Sequence, residues 1–205
     1  MCDRSSHWDK VYATKGEAEV SWFQDSPATS LAMIMAAAPD RGVAIIDIGG
    51  GASRLVDDLL RDGYRDLTVL DLSANALDAA KTRLGQASSA VDWIVADATI
   101  WRPARTYDVW HDRAAFHFLT DSHDRDAYVE RLRSAIAPGG QIIIATFAPD
   151  GPEKCSGLPV QRHDSTSLAA VLGPDFELVE TRGETHHTPW SSTQAFQFSR
   201  FRRQK

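Results

Sequence analysis

Three aspartates close three apolar runs around a turn of glycines, and that spacing suggests the chemistry this chain can do. Asp47 ends Ala44-Ile45-Ile46 and leads through Ile48 into Gly49, Gly50 and Gly51; Asp71 ends Leu67-Thr68-Val69-Leu70; Asp97 ends Val91-Asp92-Trp93-Ile94-Val95-Ala96. Glycines carry no Cβ, so a ligand can reach bare backbone there, and a helix starting behind the turn aims its N–H groups at that ligand. A carboxylate about 20 residues past such a turn stands where ribose hydroxyls are held. A dinucleotide site wants glycine at position 54, and this chain has Arg54, which disfavours pyrophosphate. Three acids in register with a glycine turn suit a ligand with ribose and adenine but no phosphate.

The elements that must position these residues follow from periodicity. Strand and helix signals alternate from residue 43 to 147, which calls for a parallel sheet covered by helices on both faces. Leu31, Ile34, Met35 and Ala38 keep helical spacing before the first strand, and Asn75 to Leu84 is predicted as a helix capped by Ser73. Tyr107 to Asp112 reads as the fourth strand and Asp124 to Ala137 as the next helix, stopped by Pro138-Gly139-Gly140 ahead of a fifth strand, Gln141 to Phe147. Residues 148–163 read as a loop, Ser165 to Leu172 as a short helix, and Phe176 to Thr185 with Ala195 to Phe201 as a closing antiparallel pair. The basic residues Arg200, Arg202, Arg203 and Lys205 are expected to form a solvated tail. The expected fold is α/β: a single-domain, Rossmann-like, seven-stranded, mostly parallel sheet with helices on both faces and an antiparallel last strand pair. Within 1–205, residues 1–30 are expected to form an N-terminal lid, 43–147 the cofactor-binding core, and 148–205 the acceptor-side loop and closing strands.

Together, the run Ile45-Ile46-Asp47-Ile48-Gly49-Gly50-Gly51 and the strand-end acids Asp71 and Asp97 resemble the class I S-adenosylmethionine-dependent methyltransferases. The resemblance implies S-adenosyl-L-methionine as cofactor. Asp47 would orient the turn and face the methionine ammonium, Gly49, Gly50 and Gly51 would pass close to the amino-acid part, and Asp71 would accept both ribose hydroxyls. Leu72 would pack on adenine, Asp97 would accept from its exocyclic amine, Ala98 would offer a backbone N–H, and Trp22 would cover the cofactor. The segment Trp110-His111-Asp112-Arg113-Ala114-Ala115, followed by Arg125 and Tyr128, is similar to the W/Y-D-R-A-A-L and R-x-x-Y segments of thiopurine and chalcogen S-methyltransferases.

A sulfonium donor is already activated, so what remains is alignment, exclusion of water and a deprotonated acceptor. A thiol becomes a strong nucleophile when a nearby cation lowers its pKa. Arg113, His111 and His117 are the candidate positive or proton-accepting groups, with Asp112 beside them; Arg113 could instead brace the loop through Asp112 or Asp121. Cys155, on the late loop, and His186, which with His187 could complete an acceptor pocket with His163, are further candidates. These point to a small-molecule thiol or related sulfur or selenium acceptor. Two alternatives stay open: a protein lysine N-methyltransferase, and a non-catalytic S-adenosylmethionine-binding protein.

Composition narrows the class further. At 205 residues and 43% hydrophobic content, one domain with a full core is expected. A net charge of −6 argues against general nucleic-acid binding. No apolar run reaches membrane-spanning length. Two distant cysteines, Cys2 and Cys155, form no disulfide framework, and no secretion signal opens the chain, so a cytoplasmic monomer or homodimer with no metal, membrane or nucleic-acid partner is expected.

Overall fold

The computed structural model describes residues 4–204; Cys2 and Lys205 lie outside them. The expected sheet is present. Strands β1 (Ala44–Ile48), β2 (Asp66–Asp71), β3 (Val91–Val95), β4 (Tyr107–Arg113), β5 (Ile136–Phe147), β8 (Phe176–His187) and β9 (Thr193–Arg203) form one sheet in the order β3-β2-β1-β4-β5-β9-β8. The first five strands run parallel, and β9 pairs antiparallel with both β5 and β8.

Strand alternation divides the core. Ile45, Val109, Ile143 and Ala145 pack toward helices α2 (Ala28–Ala37) and α3 (Leu55–Arg61), while Ile46, Ile48, Trp110 and Ile144 pack toward α5 (Ser122–Ala135) and α6 (Ser165–Leu172). Successive side chains on a strand leave opposite faces, so a parallel sheet buried on both sides needs continuous apolar runs. Each such fully buried side chain contributes about 1.5–3 kcal/mol of transfer free energy. Helix α4 (Ala74–Leu84) begins where Ser73 Oγ accepts from Ala76 N–H at 3.2 Å, as its sequence predicts, and ends at Gly85 with φ +56°.

Four expectations need correction. Helix α5 starts behind Asp121, whose carboxylate accepts from His123 N–H at 2.7 Å, and ends at Ala135. Ile136 then already pairs with Tyr107, and Pro138-Gly139-Gly140 forms an irregularity within β5, with the register shifting between Tyr107 and Val109. The 148–163 segment contains a small hairpin of β6 (Lys154–Cys155) and β7 (Leu158–Pro159), turned by Ser156 and Gly157 at positive φ. Arg200, Arg202 and Arg203 belong to β9; Arg200 pairs with Glu180 at 3.0 Å, and Arg203 donates to Arg133 O at 2.7 Å. Finally, the aperiodic N-terminal stretch includes helix α1 (Arg4–Thr14), which has no buried residue. Polar contacts (Arg4 to Asp124 at 3.1 Å, Ser5 Oγ to Leu72 O at 3.2 Å and Ser73 Oγ to Asp9 at 2.7 Å) hold it together with the half-buried Trp8 ring, which meets Phe118 edge to face.

Candidate functional site

The carboxyl ends of β1, β2 and β4 open into a cleft. Asp71, Leu72, Asp97 and Ala98 line one part of it; Trp22, Arg113, Phe118 and Cys155 line the other. Helix α1 and the segment after it contribute Trp8, Tyr12 and Trp22, whose rings meet edge to face within 6.2 Å.

Asp71 is 8% exposed, and its Oδ1 accepts from Ser73 N–H at 2.8 Å. A Cβ on Gly51, where φ is +45°, would stand 2.9 Å from Asp71 Oδ2 and 3.2 Å from Tyr12 Oη. Only glycine therefore lets the turn pass between that carboxylate and that phenol. Burial pushes the Asp71 carboxyl up to about 7, with Asp47 and Asp9 adding to the rise and the Ser73 and Gly51 N–H groups opposing it. Asp97 is held by Thr99, whose N–H and hydroxyl both donate to Oδ1 at 2.8 and 2.7 Å, while Oδ2 faces Arg4 at 3.9 Å. One oxygen orients the side chain, leaving the other with a weak partner.

Asp47 lies at the end of β1, 5% exposed, on the α2 side of the sheet. Its Oδ1 is 2.7 Å from His111 Nδ1, and His111 Nε2 is 2.9 Å from Ser30 Oγ on α2. A Cβ on Gly50 would lie 2.6 Å from Asp47 Oδ2, so the carboxylate packs directly against the glycine turn. A second, smaller cavity adjoins the first across Gly49, Trp22 and Arg113, and Ser30, Asp47 and His111 line it.

The predicted acceptor segment divides between the two faces of β4. His111 and Arg113 point to the α2 side, but His111 is engaged beneath the turn with Asp47 and Ser30. Asp112 points the other way, is 0% exposed, and accepts from Ala115 N–H, Phe116 N–H and Tyr128 Oη–H at 2.9, 3.1 and 2.7 Å. Burial raises its carboxyl to about 6 against those three donors. These contacts make Asp112 a brace for the turn into the next element. The partner of Arg113 is Glu184 on β8, at 3.4 Å, and not Asp112 or Asp121; the guanidinium also donates to Trp22 O at 3.3 Å and lies 4.4 Å above the Phe196 ring. Its Nε has no partner.

The other candidates separate. Cys155 reaches the cleft, 4% exposed, with its thiol pushed up to about 11 by burial despite Arg113 nearby. His117 packs between Phe118 and Phe147 away from the cleft lining, and burial first, then Arg113, drives its imidazole down to about 3; it is neutral and supplies no positive charge. His186 hydrogen-bonds Ser21 O at 2.7 Å, His163 stacks on Phe116, and burial lowers both imidazoles. The expected His163–His186–His187 pocket is not formed: His186 and His187 line a depression with Phe23 and Pro189 that His163, bonded through its backbone N–H to Phe147 O and set against Phe116, does not reach.

Residues 45–140 match the family described as a methyltransferase domain. The ubiquinone/menaquinone biosynthesis C-methyltransferase UbiE of Roseobacter denitrificans is 31% identical over 115 residues, 54% of this chain and 45% of that protein. The chain spans about half the length of the curated relatives it matches. Among solved structures, the N-methyltransferase NodS of Bradyrhizobium japonicum WM9, in complex with S-adenosyl-L-homocysteine, superposes with a TM-score of 0.74 at 16% identity, covering 99% of this chain and 100% of that one. An enzyme structure described for conversion of a disulfide bond into a thioacetal group during echinomycin biosynthesis superposes with a TM-score of 0.76 at 20% identity, covering 98% and 93%.

Several residues around the cleft escaped the sequence reading. Thr99 carries a usable signal, since Asp97-Ala98-Thr99 is the spacing of a side-chain turn. Ser30 and Glu184 carry none: each sits in an ordinary helix or strand, and only the packing of α2 on β4 and the pairing of β8 with β9 bring them to the site.

Proposed function

We propose that this chain binds S-adenosyl-L-methionine in the cleft and transfers its methyl group to a small acceptor held against Arg113 and the N-terminal aromatics. The observation that carries this reading is the Asp71–Gly51 geometry: one carboxylate oxygen is fixed by Ser73 N–H and the other is turned toward a glycine that leaves no side chain in the way. That arrangement fits a ribose diol, which donates two hydrogen bonds to one carboxylate. Asp97, oriented by Thr99, fits an exocyclic amine, with Leu72 and Ala98 as apolar walls for a purine. The residues present therefore fit the cofactor. When bound, it supplies a sulfonium-activated methyl group. The chain's own part is to align the acceptor in line with that group and keep water out.

For the acceptor we propose a thiol or related sulfur or selenium compound. The cleft's described lining includes no histidine and no lysine, and His117 is neutral and packed away. An acceptor there has to ionise with little help, and a thiol, with an ordinary pKa near 8.5, is the class that needs the least. The buried Arg113, loosely matched by Glu184 at 3.4 Å, is placed to favour such an anion. Among the fold neighbours, one carries an echinomycin thioacetal conversion in its description and others N-methylation, so the fold accommodates either. The first 30 residues act in this reading as a lid. The protein lysine reading would need a route for an extended side chain, and Trp8, Tyr12 and Trp22 cover the cleft where it would enter.

The test is a turnover screen of the purified chain with labelled cofactor against small thiols, sulfide, selenium compounds, phenols, amines and a lysine-rich protein pool, with mass detection of the methylated product. Methylation of a thiol or selenol supports the reading. Products only on oxygen, nitrogen or carbon replace the acceptor class, and cofactor binding without turnover on any acceptor favours a non-catalytic binder.

A further inference from the structure

Asp47 is a buried carboxylate, and His111 is the only basic side chain within ion-pair distance of it among the described residues. The pair belongs to a chain of three: Asp47 Oδ1 to His111 Nδ1 at 2.7 Å, then His111 Nε2 to Ser30 Oγ at 2.9 Å, at 5%, 2% and 1% exposure. Three elements contribute one residue each, β1, β4 and α2. A side chain held from both ends of an imidazole this deeply buried has one orientation. The second cavity opens on the chain, and Arg54 and Arg113 line the same cavity. Glu17 lines it too; Arg54 is held by Glu17 at 2.7 Å and Asp25 at 2.9 Å, and Arg113 by Glu184 at 3.4 Å, so Asp47 is the lining acid with no guanidinium partner among the described residues, which suits the ammonium of a zwitterion. The cofactor proposed above has one such part, its amino-acid end, and the first cavity takes the remainder.

We infer that His111 and Ser30 are positioning residues for that amino-acid end. The imidazole is held at Nδ1 by Asp47 and at Nε2 by Ser30, which fixes the ring and with it the Asp47 carboxylate, whose Oδ2 packs beside the Gly50 backbone. Neither residue touches the adenosyl part or the acceptor. This inference rests on the cofactor reading and extends it to residues that reading does not use.

The experiment compares two ligands that differ only at that end, S-adenosyl-L-homocysteine and 5′-methylthioadenosine, by calorimetry on wild type, His111→Leu, His111→Asn and Ser30→Ala. His111→Leu is expected to weaken S-adenosyl-L-homocysteine about tenfold or more while 5′-methylthioadenosine shifts less than about twofold, the scale of a lost hydrogen bond to a charged group. His111→Asn, which keeps a donor near Asp47, recovers part of the loss. Ser30→Ala, the mildest change, shows the same selective loss at about threefold, and carries the test if His111→Leu does not fold. Equal losses for both ligands, or no loss in any variant, overturn the inference and leave the cofactor reading standing. Failure of the wild type to bind either ligand overturns both.

Discussion

Asp47 and His111 are register partners on adjacent parallel strands, and their side chains meet at 2.7 Å on the same face of the sheet. The neighbouring pair, Ile48 and Asp112, faces the opposite side. One step along two paired strands thus moves from the polar floor of the glycine turn to the apolar layer beneath α5, where Asp112 serves as an internal acceptor.

Asp71 links cofactor affinity to pH. Its carboxyl is raised to about 7, so the unliganded protein holds a proton there below neutrality, and a diol that donates to a carboxylate binds better above it. Affinity for S-adenosyl-L-homocysteine should rise between pH 6 and pH 8, and Asp71→Asn should remove that rise and weaken binding about tenfold to a hundredfold, as read by calorimetry. A raised folded-state value also means the free protein loses stability as pH climbs from the unfolded carboxyl's value toward 7. Asp71→Asn should therefore raise the melting temperature of the free protein at pH 8.

Burial acts on His117 with the opposite sign. Its folded-state value of about 3 lies below the unfolded one, so the neutral form's contribution is present above the unfolded value and lost as pH falls toward 3. His117→Phe should flatten the acid limb of a stability–pH profile measured by urea denaturation. An unchanged limb would assign acid unfolding to other groups.

Arg113→Met should lower kcat/KM for the acceptor about a hundredfold, the loss of roughly 2–3 kcal/mol of charged hydrogen bonding. The affinity for S-adenosyl-L-homocysteine should move far less. Glu184→Gln frees the guanidinium from its partner and should shift acceptor KM in the opposite sense; parallel losses in both variants would make the pair a structural clamp.

Replacing Asp112 by Ala leaves two backbone N–H groups and the Tyr128 hydroxyl without their acceptor in a fully buried position. A loss of about 2–4 kcal/mol in unfolding free energy is expected, with the activity of the remaining folded fraction close to wild type.

Removing residues 4–20 takes away Trp8 and Tyr12 from the cleft. If they form a lid, the dissociation rate of S-adenosyl-L-homocysteine should increase by about an order of magnitude in stopped-flow measurements. An unchanged rate would reduce α1 to a surface attachment.

The sheet and its carboxyl-end acids were legible because continuous apolar runs, helix spacing and a glycine turn are local signals. The acceptor side was less so. Trp110-His111-Asp112-Arg113 reads as one functional segment in a string, yet a strand sends alternate side chains to opposite faces, and the segment divides into a relay beneath the turn, a buried brace and a guanidinium in the cleft. Helix α1 was unreadable for a related reason: it buries no residue, so no apolar stripe marks it, and its docking depends on polar contacts with Leu72, Ser73 and Asp124, dozens of positions away. Glu184 reaches Arg113 only through pairing of β8 with β9, a long-range match that no local pattern encodes.

Strand order has an evolutionary consequence. Asp71 stands at the end of β2, on one side of β1, while Glu184 and Phe196 come from β8 and β9, beyond β5. Drift in the final fifty or so positions can reshape the guanidinium's surroundings without disturbing Asp71 and Asp97. Chimeras joined just after Phe147 would thus exchange one wall of the cleft as a unit, a natural way for a compact scaffold to acquire new selectivity.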